Sequence, residues 1–157
     1  MPKSPSIEII ARGLLTHHGR VLLCRNVKHG YYYLPGGHVE FAEPARVALD
    51  REMQEECGLG VVVGPLLLTG EECFHDGKKE HHEINLVFHM EQLGGASTPP
   101  EQVPSIEEHI AFDWVELAQL PECVLYPESI KAWLMSGGGV DQDSGPMASR
   151  FHRSNHA

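Results

Sequence analysis

Alternating apolar and polar positions predict strands in the first part of the chain. Residues 7–15 and 21–25 are rich in apolar side chains and are separated by His18-Gly19, which indicates two strands joined by a tight turn. The aromatic segment 31–34 predicts a short strand end that leads into a Pro-Gly-Gly turn.

The periodicity changes after this turn. Leu49, Met53 and Cys57 recur every four residues, which is the spacing of an apolar stripe on a helix. Pro44 suits the first turn of a helix, and Gly58 suits its end. The sequence therefore predicts a helix between these two residues.

A second group of strands follows. Residues 61–74 resemble a strand that Gly64-Pro65 must break or bulge. Asp76-Gly77 is typical of a hairpin turn, and the alternation over residues 84–90 predicts the returning strand.

The last third predicts a loop over residues 94–105, a strand over 110–115 and a helix over 127–135. The segment from residue 136 to 157 contains few apolar and many small residues, which predicts a disordered tail. We expect one folded domain over residues 1–135.

Composition narrows the classes of function. The chain has 157 residues, a length that suits one compact domain, and a net charge of −10, which argues against a general nucleic-acid binder. Its four cysteines show no CxxC spacing, and neither a signal peptide nor a membrane-spanning run is visible. These features predict a cytoplasmic protein with reduced thiols.

Three carboxylates fall on one face of the predicted helix. Glu52, Glu55 and Glu56 have the i, i+3, i+4 spacing of neighbours on a helix surface. They repel one another unless a cation lies between them, and Mg²⁺ prefers oxygen ligands. A solvated acidic face is the alternative interpretation.

The same segment resembles a known family motif. The pattern matches the Nudix box at nine positions: Gly37, Glu43, Arg51, Glu52, Met53, Glu55, Glu56, Gly58 and Leu59. The flanking segments Leu34-Pro35-Gly36-Gly37 and Trp114-Val115-Glu116-Leu117 are also similar to the family. The resemblance implies the α/β (α+β) class, with the α/β/α sandwich and mixed sheet of the Nudix fold.

The resemblance also implies an activity, which is metal-dependent hydrolysis of a phosphoanhydride bond. The bond belongs to a nucleoside triphosphate or to a nucleoside diphosphate linked to another moiety. Mg²⁺ is the expected cofactor, with Mn²⁺ as an alternative, held by Glu52, Glu55, Glu56 and the Gly36 carbonyl. Glu52 is also a candidate general base, and Arg51 is expected to orient a box carboxylate through a bidentate pair.

Other candidate site residues lie outside the motif. Glu108 precedes Trp114 at about the distance of a late-loop carboxylate in this family, and it is preferred to Glu107. Arg25 matches a phosphate-contacting position in some relatives, although a solvent-facing strand end is equally compatible with the sequence.

Aromatic and histidine side chains could contact the substrate. Tyr33 is a candidate for stacking on a base, with a core position as its alternative. His81 or His82 could face the site. The histidines lack the tight Cys/His spacing of structural zinc sites, so the sequence favours polar or substrate-facing roles over zinc.

Two alternatives to a hydrolase remain open at this point. One is a non-catalytic ligand-binding or regulatory module on a Nudix fold, and the other is an isomerase on that fold. The expected partner is a small nucleotide-like molecule, with no long nucleic acid and no membrane. A homodimer is compatible with the sequence.

Overall fold

The structure is a computed structural model that describes residues 4–93 and 100–138, together with the backbone of residues 147–153. Its elements are, in chain order, β1 Ile7–Leu14, β2 Thr16–His17, β3 Arg20–Asn26, β4 Tyr32–Tyr33, β5 Gly36–His38, α1 Ala45–Glu56, β6 Val61–His75, β7 Glu80–Gln92, β8 Ile110–Glu116, a 3₁₀ helix Leu117–Glu122, α2 Glu128–Met135 and β9 Met147–Arg153.

The strands form two sheets. The larger is mixed and has the order β5-β1-β7-β6-β9, in which β1 and β7 run parallel while β6 and β7 run antiparallel. In the smaller sheet, β3 pairs antiparallel with β2, β4 and β8.

Two apolar cores lie on opposite faces of these strands. Along β3, Leu22 and Cys24 pack in the core that contains α1, whereas Val21 and Leu23 pack in the core that contains α2. Successive strand residues point to opposite faces, so the two helices cover opposite sides. The predicted fold, an α/β/α sandwich with a mixed sheet, is confirmed.

Two turns that the sequence predicts use residues with positive φ. His18 and Gly19 have φ values of 49° and 74° in the turn between β2 and β3. Gly58, at φ 70°, ends α1 and donates its backbone N–H to the carbonyls of Met53 and Gln54. Both positions act as the sequence predicts.

The long hairpin differs from expectation in its length. The register of β6 and β7 shifts between Val63 and Leu66, which places the predicted irregularity at Gly64-Pro65. However, β7 begins at Glu80, four residues before its predicted start. Polar residues at the start of β7 resemble a loop in sequence, yet their backbone pairs with β6.

The C-terminal segment contains a strand where the sequence predicts disorder. The backbone of β9 pairs parallel with β6 over residues 68–73, a pairing that the sequence does not predict. Pairing satisfies backbone groups at an open sheet edge and does not require an apolar composition. The remainder of the predicted tail from residue 139, and residues 94–99 of the predicted loop, lie outside the described residues.

The segment before α1 is anchored to the mixed sheet. Gly36 and Gly37 in β5 pair with Arg12 and Ala11 in β1, which fixes the backbone where the acidic helix approaches it. In the described part of the chain, neither α-helix has the length and apolar character needed to cross a bilayer.

Candidate active site

Arg51 connects the carboxylates of the acidic helix. Its Nε and Nη2 donate to the two oxygens of Glu43 at 2.8 and 3.0 Å, forming a bidentate pair with a box carboxylate. Its Nη1 donates to Glu52 at 2.9 Å and to Glu55 at 3.2 Å, and Nη2 also donates to the His38 carbonyl at 3.1 Å. The hydrogen bonds to Glu43 contribute most to raising the pKa of Arg51, so its charge is permanent.

The Glu52 carboxyl lies against the backbone of Gly37. A β-carbon at position 37 would lie 2.6 and 2.7 Å from the two carboxylate oxygens of Glu52. Real β-carbons do not approach oxygen this closely, so any side chain at position 37 would force the Glu52 carboxyl group to move. Glu52 is thereby held between Gly37 and Arg51 with a side-chain exposure of 17%.

Glu56 is the most unusual carboxylate in the site. The residue is 8% exposed, and its Oε2 is buried without a hydrogen-bond partner among the described residues. Burial raises the pKa of Glu56 to about 8, and the charges of Glu52 and Glu107 add to this effect. Arg12 and a hydrogen bond from the Gly36 backbone oppose it. A buried, unpartnered carboxylate oxygen is suited to bind a cation.

The predicted ligands lie around the junction of β5 and α1, but the three box carboxylates do not bring one ligand atom each within 4.8 Å of the other two. The Gly36 backbone forms a hydrogen bond with the Glu56 carboxyl group. Glu52 and Glu55 both accept a hydrogen bond from Nη1 of Arg51. The Glu55 side chain is 54% exposed. The donor set consists of oxygens, which fits a hard divalent cation such as Mg²⁺ or Mn²⁺.

The late-loop carboxylate nearest this group is Glu107, not the preferred Glu108. Glu107 acts on the pKa of Glu56, whereas Glu108 is exposed. The Ile106 N–H donates to the Glu56 carbonyl at 2.8 Å, which anchors the loop to the end of α1. The sequence spacing did not reveal which of the two adjacent residues turns towards the helix.

Arg25 lies apart from the acidic helix. Its side chain is on the face of β3 opposite Cys24, and its Nε donates to Asp113 at 2.7 Å. The Tyr32 hydroxyl donates to the same oxygen of Asp113 at 3.0 Å. Tyr32 and Asp113 also line an open groove of about 920 Å³ along β8, and no residue of the acidic motif contributes to it. The geometry therefore does not place Arg25 beside phosphates bound at Glu52.

Tyr33 packs at the edge of the α1 core rather than projecting into solvent. Burial raises the pKa of Tyr33, and the adjacent Cys24 thiol raises it further. The Arg12 guanidinium lies 5.5 Å from the centre of its ring. This environment agrees with the alternative interpretation, in which Tyr33 is a core residue and does not stack on a base.

His81 is held by two carboxylates next to the turn of the β6–β7 hairpin. Its Nδ1 lies 2.9 Å from Glu8 Oε2, and its Nε2 lies 2.8 Å from Asp76 Oδ2. In this arrangement each ring nitrogen contacts a carboxylate oxygen, and a role of His81 in substrate binding stays a prediction.

Arg12 is a site residue that sequence reasoning missed. Its Nε donates to the buried Asn85 at 3.1 Å and its Nη1 donates to the Leu34 carbonyl at 3.2 Å. Its positive charge also lowers the pKa of Glu56. The available signal was a charged residue at an inward-facing strand position between Ile10 and Leu14, which are both buried.

Comparison with known proteins identifies the same family that the motif resembles. The family model described as NUDIX domain matches residues 8–135. A Mycobacterium tuberculosis protein provisionally named 8-oxo-dGTP diphosphatase 2 is 28% identical over 131 residues, covering 81% of this chain and 85% of that protein. An ADP-ribose pyrophosphatase of Methanocaldococcus jannaschii is 35% identical over 86 residues, covering 53% of this chain and 50% of that protein.

The fold also matches a solved structure. A MutT protein from Bacillus halodurans superimposes with a TM-score of 0.70 at 19% identity, covering 94% of this chain and 90% of that chain.

Proposed function

The chain belongs to the Nudix hydrolase family, and we propose that it hydrolyses a phosphoanhydride bond in a nucleotide with the help of a divalent cation bound by Glu52, Glu55 and Glu56. The observation that carries the proposal is the buried Oε2 of Glu56, which has no hydrogen-bond partner in the described part of the chain. A cation at this oxygen would stabilise the ionised form that burial otherwise disfavours.

In this proposal, residues of the motif either bind the metal ion or hold one of its ligands in position. A bound Mg²⁺ would neutralise phosphate charge and make water more acidic. Glu52, Glu55, Glu56 and the Gly36 carbonyl supply its oxygen ligands. Arg51 holds Glu52 in position through the hydrogen bond at 2.9 Å.

The general base is assigned to a carboxylate near the metal. Glu52 is the first candidate, because Arg51 and Gly37 fix the orientation of its carboxyl group. Glu107 replaces Glu108 as the late-loop candidate, because its charge acts on Glu56. Either carboxylate would accept a proton from the attacking water.

The proposed substrate class is a nucleoside triphosphate or a nucleoside diphosphate derivative. The two relatives named above act, by their names, on a nucleoside triphosphate and on ADP-ribose, and both molecules contain a phosphoanhydride. The net charge of −10 favours a small substrate over a long nucleic acid, because many phosphates would meet uncompensated negative charge. A cytoplasmic location and a homodimer stay predictions.

A product assay tests the proposal. The protein is incubated with Mg²⁺ and a panel of nucleoside triphosphates, nucleotide sugars, dinucleotides and a capped RNA, and the released products are identified. We expect cleavage within the phosphate chain of one or more small nucleotides. Cleavage of the RNA alone, or of diphosphates without a nucleoside, would contradict the substrate class. Tight nucleotide binding with no product would instead favour the non-catalytic module.

A further inference from the structure

A second group of potential metal ligands lies near the turn of the β6–β7 hairpin. Glu8 on β1 is the direct register partner of Glu83 on β7, and His81 precedes Glu83 by two residues on the same strand. One ligand atom from each of the three residues lies within 4.8 Å of the other two, and no other such group of three occurs among the described residues. Side chains two residues apart on a strand share a face, so the three side chains converge for a structural reason.

The row of side chains that contains this group is strongly acidic. Glu83 pairs on its other side with Glu72 of β6, so carboxylates from three adjacent strands stand side by side. Like charges directly opposite one another on neighbouring strands destabilise a sheet. The Ser129 hydroxyl of α2 donates to Glu72. A hydroxyl relieves less of this repulsion than a cation placed between Glu8 and Glu83 would.

The surroundings hold His81 as a metal-binding histidine is usually held. Asp76 engages Nε2 at 2.8 Å, and backbone N–H groups of Lys78 and Lys79 donate to the other Asp76 oxygen at 2.8 and 2.9 Å. The His81 ring also stacks on Phe74, with ring centres 4.8 Å apart. A carboxylate on the outer nitrogen fixes the tautomer that directs Nδ1 to a metal.

The carboxylates of Glu8 and Glu83 are also oriented by neighbouring side chains. The Asn85 amide donates to Glu83 Oε2 at 3.3 Å, and His38 Nε2 lies 3.1 Å from Glu8 Oε1. These contacts leave Glu8 Oε2 and His81 Nδ1 facing each other at 2.9 Å.

From this geometry we propose that Glu8, His81 and Glu83 bind a divalent transition-metal ion, with Zn²⁺ as the expected occupant, at a site separate from the box carboxylates. One imidazole nitrogen and two carboxylates suit zinc better than magnesium, which favours oxygen ligands alone. The ion would link β1 to the turn end of the hairpin.

The competing explanation is an ion pair without metal. Burial lowers the pKa of His81, but the hydrogen bonds to Glu8 and Asp76 outweigh burial and raise it overall. A metal ion therefore has to displace the proton on His81, which the carboxylates of Glu8 and Asp76 stabilise. Binding should be measured in slightly alkaline buffer, where more of the histidine is neutral.

Cobalt absorption tests the proposal without relying on activity. Co²⁺ is titrated into the full chain in the presence of millimolar Mg²⁺, which occupies the oxygen ligands of the box, and the visible absorption of the bound ion is recorded. We expect saturable binding of one ion, which Zn²⁺ displaces. His81→Gln and Glu83→Gln should each weaken binding at least about tenfold, and Asp76→Asn, which leaves the three ligands in place, should weaken it by about tenfold.

Two control variants separate this site from others. His29→Gln changes an exposed histidine at another position, and Glu52→Gln changes a proposed box ligand. Both should bind Co²⁺ as the unaltered chain does. Melting temperatures measured in EDTA check that each variant is folded. The proposal is overturned if no Co²⁺ binds in the presence of Mg²⁺, if His81→Gln and Glu83→Gln bind it normally, or if only Glu52→Gln loses it.

Discussion

Replacing Glu56 with glutamine should make the metal-free protein less sensitive to pH. The pKa of Glu56 is raised from 4.5 to about 8, chiefly by burial. The folded protein thus holds this proton more tightly than the unfolded chain does. The contribution of Glu56 to the free energy of unfolding is therefore largest below pH 4.5 and is lost as the pH rises from 4.5 to about 8.

The size of the effect follows from the same values. A pKa difference of one corresponds to about 1.36 kcal/mol, so the interval from 4.5 to about 8 corresponds to roughly 5 kcal/mol as an upper bound. Glu56→Gln keeps the shape of the side chain and removes the titration. Relative to this variant, the unaltered protein should lose at least about 2 kcal/mol of stability between acidic and alkaline pH.

Urea unfolding in EDTA measures this difference. The unaltered chain, Glu56→Gln and the control Glu122→Gln, which alters an exposed glutamate, are compared at about pH 5 and about pH 9, on either side of the titration. Added Mg²⁺ should then stabilise the unaltered chain at the higher pH, by about 2.7 kcal/mol at a hundredfold excess over Kd, and should not stabilise Glu56→Gln. The reasoning is refuted if the stability difference between the chain and Glu56→Gln does not change with pH.

Three further changes have expected outcomes. A lysine at position 51 cannot form the bidentate pair with Glu43, so we expect Arg51→Lys to lower kcat/KM at least about tenfold. The control Arg46→Lys, at an exposed position, should change kcat/KM little. Normal kinetics for Arg51→Lys would contradict the positioning role. Gly37→Ala should displace the Glu52 carboxyl group, so we expect a clear loss of turnover with only a small change in melting temperature. Normal turnover would show that the close approach of Glu52 to the backbone of residue 37 is unimportant. Truncation after Gly138 removes β9 and opens an edge of β6, so the melting temperature should fall, whereas an unchanged value would support the sequence prediction of a dispensable tail.

The sequence predicted the elements whose determinants are local. The apolar stripe and Gly58 define α1, and the turn at His18-Gly19 follows from residues that tolerate positive φ. The bidentate pair of Arg51 was expected from the motif and is formed with Glu43. In each case, residues close together in the sequence determine the outcome.

Features that depend on distant partners could not be predicted in this way. That Glu107 acts on Glu56 depends on how the late loop packs against the end of α1, where the Ile106 N–H donates to the Glu56 carbonyl. The face of β3 on which Arg25 lies depends on which side packs against α1. The pairing of β9 with β6 brings together segments more than 70 residues apart, and composition carries no signal for it.

The same limit applies to the cluster of Glu8, His81 and Glu83 near the hairpin turn. The histidine spacing argued against zinc, because a search for closely spaced ligands assumes that they come from one segment. Glu8 and His81 are instead 73 residues apart in sequence and become neighbours through the parallel pairing of β1 and β7.

Turnover with and without metal tests the central claim most directly. Hydrolysis of the best nucleotide from the product assay is measured after exhaustive treatment with EDTA and again after Mg²⁺ is restored, for the unaltered chain, Glu52→Gln and Glu122→Gln. We predict that EDTA abolishes turnover, that Mg²⁺ restores it in the unaltered chain and in Glu122→Gln, and that Glu52→Gln stays inactive with a nearly unchanged melting temperature. Full activity after chelation, or a Glu52→Gln variant as active as Glu122→Gln, would contradict a metal-dependent site at these carboxylates.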